Sequence, residues 1–373
     1  MQSHQNSEPN ASPYALPGSA FVVLTGNINV GKTYQMTRLL EATDEAGSPI
    51  VAPILVITGE SSGEGTAGDF YADPSRCLVW GATTCDDAFD ILGKVFPEGR
   101  GPLTLGEARM EQWKSACELA KASKQTQPPA PAKTPRDAML VRAVAVDSIS
   151  TLYAGQMVKV GNDARAKGGA AKAMKSAEAS AREQAKVAAP RCIALIDRLN
   201  GITQRHRGTL VVVACHVRKQ VEQSTSAEGE MFRAVVGWAP DLGRPEEVRA
   251  GILATGYSAL WQHLAAKANI IWHLFAEAPD FRQVPLAELN TREGMAPTYG
   301  AITMRGHFAK LGQVMWVKRQ GGDGWLGFFD RLPPYWHKSA PWEHGDAYPT
   351  PDLGAVLSHC VAAWRERRQG AAA

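Results

Sequence analysis

The stretch Ala20-Phe-Val-Val-Leu-Thr25 followed by Gly26-Asn27-Ile28-Asn29-Val30-Gly31-Lys32-Thr33 decides how the chain is read. Six apolar or β-branched residues suit a strand buried on both faces. The next eight form GxxxxGKT, and the residues from about Gly31 to Ala46 read as a helix. A glycine-rich turn between a strand and a helix lets the backbone wrap closely around phosphate oxygens. Its amides and the helix N-terminus supply partial positive charge. In that setting Lys32 reaches the terminal phosphates of a nucleotide and the Thr33 hydroxyl is offered to Mg²⁺. Tyr34 completes the candidate nucleotide-binding stretch Gly26–Tyr34.

Outward from this loop, further apolar runs occur at Val51–Thr58, Cys77–Trp80, Val141–Val146 and Thr209–Cys215. Helical stretches are expected over 86–121, around Ile193, Ile196 and Leu199, and near 256–268. Strands alternating with helices imply an α/β fold with a mostly parallel sheet covered on both sides. Strands near 269–275, 300–304, 314–319 and 325–329 lie close together and suggest an antiparallel C-terminal edge.

Two strands end on acidic residues. Asp147 closes Ala145-Val146-Asp147, where a carboxylate can hold a Mg²⁺-bound water. A lone Asp at a strand end also serves as a turn residue or helix cap. Glu60 follows Thr58-Gly59 at the carboxyl end of its strand, the edge at which open parallel sheets bind ligands. It can orient and deprotonate an attacking water, and Glu64 is a neighbouring carboxylate able to compete for that role. His216 stands directly after Cys215, where an imidazole beside a γ-phosphate can register its presence and pass the change to the following loop.

Together these elements resemble the RecA-like P-loop ATPases, particularly the branch of bacterial RadA and the KaiC-type proteins. Leu55-Val-Ile-Thr-Gly-Glu-Ser-Ser62 is similar to that branch's strand ending in Gly-Glu-Glu-Ser, whose first Glu is catalytic. Ala145-Val-Asp-Ser-Ile-Ser-Thr-Leu-Tyr153 is similar to its Walker B strand, and Val213-Ala-Cys-His-Val-Arg-Lys219 to its Gly-His-Val-Thr-Lys. The resemblance spans about residues 20–220 and extends weakly to 330. It implies a RecA-like core, ATP rather than GTP as nucleotide, Mg²⁺, and a homo-oligomeric ring or filament with ATP at the subunit interface. In the family a Lys-x-Arg-x-Gly segment reaches a neighbour's ATP. Here Lys318-Arg319-Gln320-Gly321 departs from it, because Val317 stands where the Lys belongs, so Arg319 carries over better than Lys318.

The resemblance also implies that single-stranded DNA meets two segments, one after Asp147 and one after His216. Residues 154–191 carry eight Lys/Arg against three acids, a net +5 within a chain of only +3 overall. Clustered cations attract a phosphate backbone, although a solvated Ala/Lys helix has the same composition. Residues 218–249 mix Arg218, Lys219, Arg233, Phe232 and Trp238 with several acids. Aromatics beside cations suit base stacking, and an ordinary surface excursion is the other reading.

The core is placed at 19–331, after a polar leader at 1–18 expected to be disordered and before a tail at 332–373 with a short helix. An insertion at about 100–138 contains four prolines within Gln125–Pro135, which marks a linker or surface loop. The six scattered cysteines form no CxxC pair and read as reduced thiols of a cytoplasmic protein. No long apolar run indicates a membrane span. The family's RadA branch usually carries a Cys-rich finger, and no such finger or protease-like domain is recognisable here; the single core with long insertions looks more like the phage-encoded RecA-like recombination ATPases. A hexameric helicase or translocase, and a nucleotide-gated assembly or signalling ATPase without a DNA role, are the alternatives.

Overall fold

The computed structural model describes residues 19–26, 32–44, 47–59, 73–168, 177–225, 231–242, 259–268, 270–276, 315–318 and 325–331, with 354, 357, 358, 361 and 362. Five strands build the heart of the sheet: β1 (Ala20–Gly26), β2 (Ile54–Thr58), β3 (Cys77–Gly81), β4 (Ala143–Asp147) and β5 (Leu210–Thr225). They run in the order β3-β2-β4-β5-β1, and every neighbouring pair is parallel. The protein is therefore an α/β fold with a parallel sheet, an arrangement consistent with a RecA-like core.

Alternation along the strands explains the layers. Phe21, Val23, Leu55, Ile57, Val144, Val146, Val211 and Val213 pack into one hydrophobic core, and Val22, Leu24, Ile54, Val56, Ala143, Ala145, Leu210 and Val212 into another. A strand whose successive side chains are all apolar must be covered on both faces. On one side lies α1 (Lys32–Glu41), through Met36, Leu39 and Leu40. Leu357 and Val361 of the tail are buried in the same core, so this part of the 332–373 segment belongs to the packed protein.

The opposite face holds α2 (Cys85–Val95), α4 (Ile149–Gly168), α5 (Ala177–Arg205) and α6 (Ala259–Lys267). Between α2 and β4, α3 (Leu105–Ala122) is inserted. Both α2 and α3 open with a capping box, Thr84 with Asp87 and Thr104 with Glu107, which satisfies backbone donors that a helix start leaves open. The proline-rich stretch after α3 is a surface strap rather than a linker between bodies. Trp113 donates its indole N–H to the Pro128 carbonyl at 3.0 Å, and Asp137 accepts from Thr134 and Arg109.

Three differences from the sequence reading have physical causes. Residues 51–53 precede β2 rather than belonging to it, and Pro53 lacks the N–H that a ladder needs. Residues 154–168 and 177–191 are helical, in α4 and α5, as an Ala- and Lys-rich composition favours. Pro190 lies inside α5, so composition alone placed the helix start too late. Finally, residues 218–225 and 231–240 are no loop: β5 continues into an antiparallel ribbon with β6 (Met231–Pro240), with an irregularity at Gln220/Val221.

Beyond β1, β7 (Ile270–Ala276) adds in parallel, and β8 (Met315–Lys318) and β9 (Trp325–Arg331) pair antiparallel with each other, β9 also with β7. The leader, the strand expected at 300–304 and the loop at 243–249 lie outside the described residues. Among the described residues no helix is long and apolar enough to cross a membrane.

Candidate active site at the carboxyl edge of the sheet

Because the five strands are parallel, all their carboxyl ends fall on one edge, and of the residues singled out in the sequence Gly26, Lys32, Thr33, Asp147 and His216 are described there. Gly26 at the end of β1 is in register with His216 on β5, and Thr58 at the end of β2 with Asp147 on β4. β5 thus separates the Gly26 strand from the Asp147 strand, and His216 lies on the strand between Gly26 and Asp147.

Lys32 opens α1 and is 5% exposed; its Nζ donates to the Gly26 carbonyl at 3.0 Å. The next residue, Thr33, donates its hydroxyl to Asp147 Oδ2 at 2.7 Å. These residues lie 114 positions apart in sequence. Asp147 is itself 5% exposed, so a carboxylate is held in the interior beside a hydroxyl. Charges are rarely buried without partners or a role. Two hard oxygen donors side by side, with the remaining positions left to water and phosphate, are the donor set Mg²⁺ prefers. The residues present therefore fit a Mg²⁺–nucleotide. Among the described residues there is no cluster of three or more His, Cys, Asp or Glu able to hold a metal by themselves.

β2 leaves the sheet close against α4. The Gly59 N–H donates to the Asp147 carbonyl at 2.9 Å, and a Cβ at Gly59 would come within 3.2 Å of Thr151 and Leu152. This narrow passage fixes the exit of β2 beside Asp147. Glu60 itself, with the loop residues Asn27, Ile28, Asn29, Val30 and Gly31, and Arg319, lies outside the described residues. The Tyr34 backbone belongs to α1.

His216 is held through its main chain. Its N–H donates to Ser150 Oγ at 3.0 Å, and its carbonyl accepts from Asp241 N–H at 2.6 Å. Burial first, and then the positive charge of Lys32, push its imidazole below the ordinary histidine range, against the opposing pull of Asp147 and Asp241. The imidazole is thus kept neutral near neutral pH, able both to donate and to accept a hydrogen bond. Ser150 was not foreseen. Its hydroxyl also lies 3.4 Å from Cys215 Sγ, joining the start of α4, two residues beyond Ser148, to the tip of β5. The contact is long-range and leaves no local signal; only the pairing of β4 with β5 reveals it.

The eight cations of 154–191 are partly engaged. Lys159 pairs with Asp86 at 3.2 Å, and Arg191 approaches the same carboxylate at 3.8 Å. The side chains of Arg165 and of 167–182, and those of the β5–β6 ribbon from 217 to 240, lie outside the described residues.

The sequence matches no family model, and no curated protein matches it. Among solved structures, a KaiC-like protein from the hyperthermophilic archaeon Pyrococcus horikoshii is similar at 12% identity, over 74% of this chain and 81% of that one, with a TM-score of 0.25. So low a score carries no weight of its own; the α/β assignment stands on the strand order and the two buried faces.

Proposed function

We propose that this chain binds ATP with Mg²⁺ at the carboxyl edge of its sheet and hydrolyses it, as a RecA-like ATPase that acts on single-stranded DNA in recombination, repair or annealing. The observation that carries this reading is the Thr33–Asp147 hydrogen bond at 2.7 Å, which joins the start of the glycine-loop helix to the acidic end of β4. Bound Mg²⁺ supplies positive charge to the phosphates and to the charge that develops during phosphoryl transfer. Thr33 and Asp147 would hold it, Asp147 partly through water. Lys32, now on the Gly26 carbonyl, exchanges that partner for phosphate oxygens. Glu60, one residue beyond the anchored Gly59, takes the proton of the attacking water. His216 meets the γ-phosphate as a neutral donor and passes its presence into the ribbon that follows. Arg319 is assigned to the ATP of a neighbouring copy, in a homo-oligomeric ring or filament.

Steady-state hydrolysis with and without single-stranded DNA, over a salt series, tests the reading. Stimulation that fades as salt rises is the expected result. Glu60→Gln should keep ATP binding and lose about 10²–10⁴-fold in turnover; turnover at the wild-type rate would remove the base assignment. One observation favours a second reading, a nucleotide-gated assembly or signalling ATPase without DNA. Lys159 and Arg191 both spend their charge on Asp86 within the chain. Hydrolysis indifferent to DNA at every salt concentration would select it.

A further inference from the structure

At the opposite edge of the sheet, where β4 and β5 begin, lies a cavity of about 260 Å³ lined by Arg142, Arg205, Arg207 and His206, with Leu140 and Thr209 beside them. Arg142 is about five strand residues from Asp147, a separation of about 17 Å at the usual rise, so this cavity is remote from the nucleotide site.

The walls are built, not incidental. α5 ends in Arg205, and the turn that follows reverses at Gly208, whose φ of +74° is the left-handed conformation glycine adopts without strain. Ser19 pins the turn, donating its hydroxyl to the His206 carbonyl at 2.8 Å and accepting from the Thr209 N–H at 3.3 Å. The His206 ring packs against Phe96 with centroids 6.0 Å apart. Arg142 is set beside this turn because Leu210 N–H donates to its carbonyl at 3.0 Å and its own N–H donates to the Pro53 carbonyl at 3.2 Å. Three guanidinium-bearing side chains thus converge from two strand starts and one helix end.

Among the described residues, no carboxylate forms an ion pair with Arg142, Arg205 or Arg207, whereas the neighbouring Arg198 is paired with Glu98 at 2.5 Å and the Phe96 carbonyl at 2.7 Å. Burial holds Arg142 below the ordinary arginine range, so its charge sits where water does not fully solvate it. Guanidinium groups are planar forks suited to phosphoryl oxygens and bind them bidentately.

We propose that this cavity is a second phosphate-binding site, separate from the nucleotide site, taking a phosphoryl or diphosphate group. The group could come from a free phosphate compound or from the terminal phosphate of a nucleic-acid strand. The chemistry recognised is the same.

The test is calorimetric titration of the full chain with sodium pyrophosphate without divalent cations, in a Lys32→Ala background that removes the principal cation of the nucleotide site. One stoichiometric binding event should remain. Adding Arg142→Gln with Arg205→Gln should weaken it about tenfold or more, since each charged hydrogen bond contributes on that scale. Arg142→Lys should restore part of the affinity. Arg207→Gln, at an exposed residue unable to disturb the core, should weaken binding independently. A Lys32→Ala chain that binds no pyrophosphate, or one whose binding ignores all of these arginine substitutions, overturns the proposal. Competition by a 5′-phosphorylated oligonucleotide but not by its unphosphorylated form assigns the site to a strand end; absence of competition assigns it to a free phosphate compound. Loss of ATP binding in wild type would refute the nucleotide reading without touching this one.

Discussion

Gly155→Ala is expected to destabilise the protein, against the usual direction of that substitution. Gly155 lies inside α4, and in an exposed helix interior exchanging Gly for Ala gains about 0.8–1 kcal/mol. Here a Cβ would overlap the Thr83 carbonyl oxygen and stand 3.0 Å from its carbon. Both are backbone atoms just ahead of the Thr84 cap of α2, so no side chain can rotate out of the way. Overpacking of this kind costs about 1–3 kcal/mol, and a backbone obstacle belongs at the upper end. Subtracting the helix gain leaves a net loss of roughly 2 kcal/mol. Urea unfolding monitored by circular dichroism measures it, and Gly93→Ala is the control. Gly93 lies in α2 with nothing within 4 Å of its missing Cβ, so that exchange should stabilise by about 0.5–1 kcal/mol. If Gly155→Ala matches or exceeds wild-type stability, the close contact between α4 and the start of α2 is wrong, and with it the path of the chain leaving Asp147.

Thr33→Val keeps the shape and removes the hydroxyl that Asp147 accepts; ATP affinity should then no longer respond to Mg²⁺, which titration with and without the cation would show. Thr84→Ala removes the α2 cap and should cost about 1 kcal/mol in the same unfolding assay. Hydrogen bonds from Thr134, first through its side chain, hold the Asp137 carboxyl below the ordinary aspartate range. Thr134→Val should raise its titration midpoint in a carboxyl NMR experiment. Because the folded pKa is the lower one, the contribution of Asp137 is full above the ordinary value and is lost as pH falls through the lowered one. His216 and His206 gain charge on protonation where Asp137 loses it, yet their effect on stability runs in the same direction. Burial is the first cause of the lowered pKa in both, so the unfolded chain binds protons more readily, and stability should fall as pH drops below the ordinary histidine range. A flat stability profile between pH 7 and 5.5 would contradict the buried placement of these rings.

The five central strands were legible because each contributes to the parallel sheet a short apolar or β-branched run with no polar face, in β5 its first part Leu210–Cys215, the mark of a strand covered on both sides. The placing of the candidate residues was legible for a related reason: a parallel sheet delivers every strand end to one edge, so Gly26, Thr58, Asp147 and His216 needed only to be recognised as strand ends. The ribbon of β5 and β6 escaped because Val217–Thr225 mixes polar and apolar residues with no sustained period of two, leaving nothing to distinguish it from a loop. α4 and α5 were read late because small residues blur their apolar stripe, although the Ile193, Ile196 and Leu199 spacing was visible. Ser150 was out of reach, since its partner on β5 is 66 residues away. The arginine cavity at the amino edge was equally hidden: Arg142 and Arg205 belong to different strand–helix units and meet only in the folded sheet.

The central claim is that Lys32, Thr33 and Asp147 form a Mg²⁺–ATP site, and equilibrium binding of ATP in the presence of Mg²⁺ tests it most directly. Wild type should bind one ATP per chain, and Lys32→Ala should weaken binding by up to about 100-fold, the scale of a lost charge-assisted contact, while the unfolding profile stays within error. Equal affinity in the two proteins, or no ATP binding by a folded wild-type chain, would contradict it.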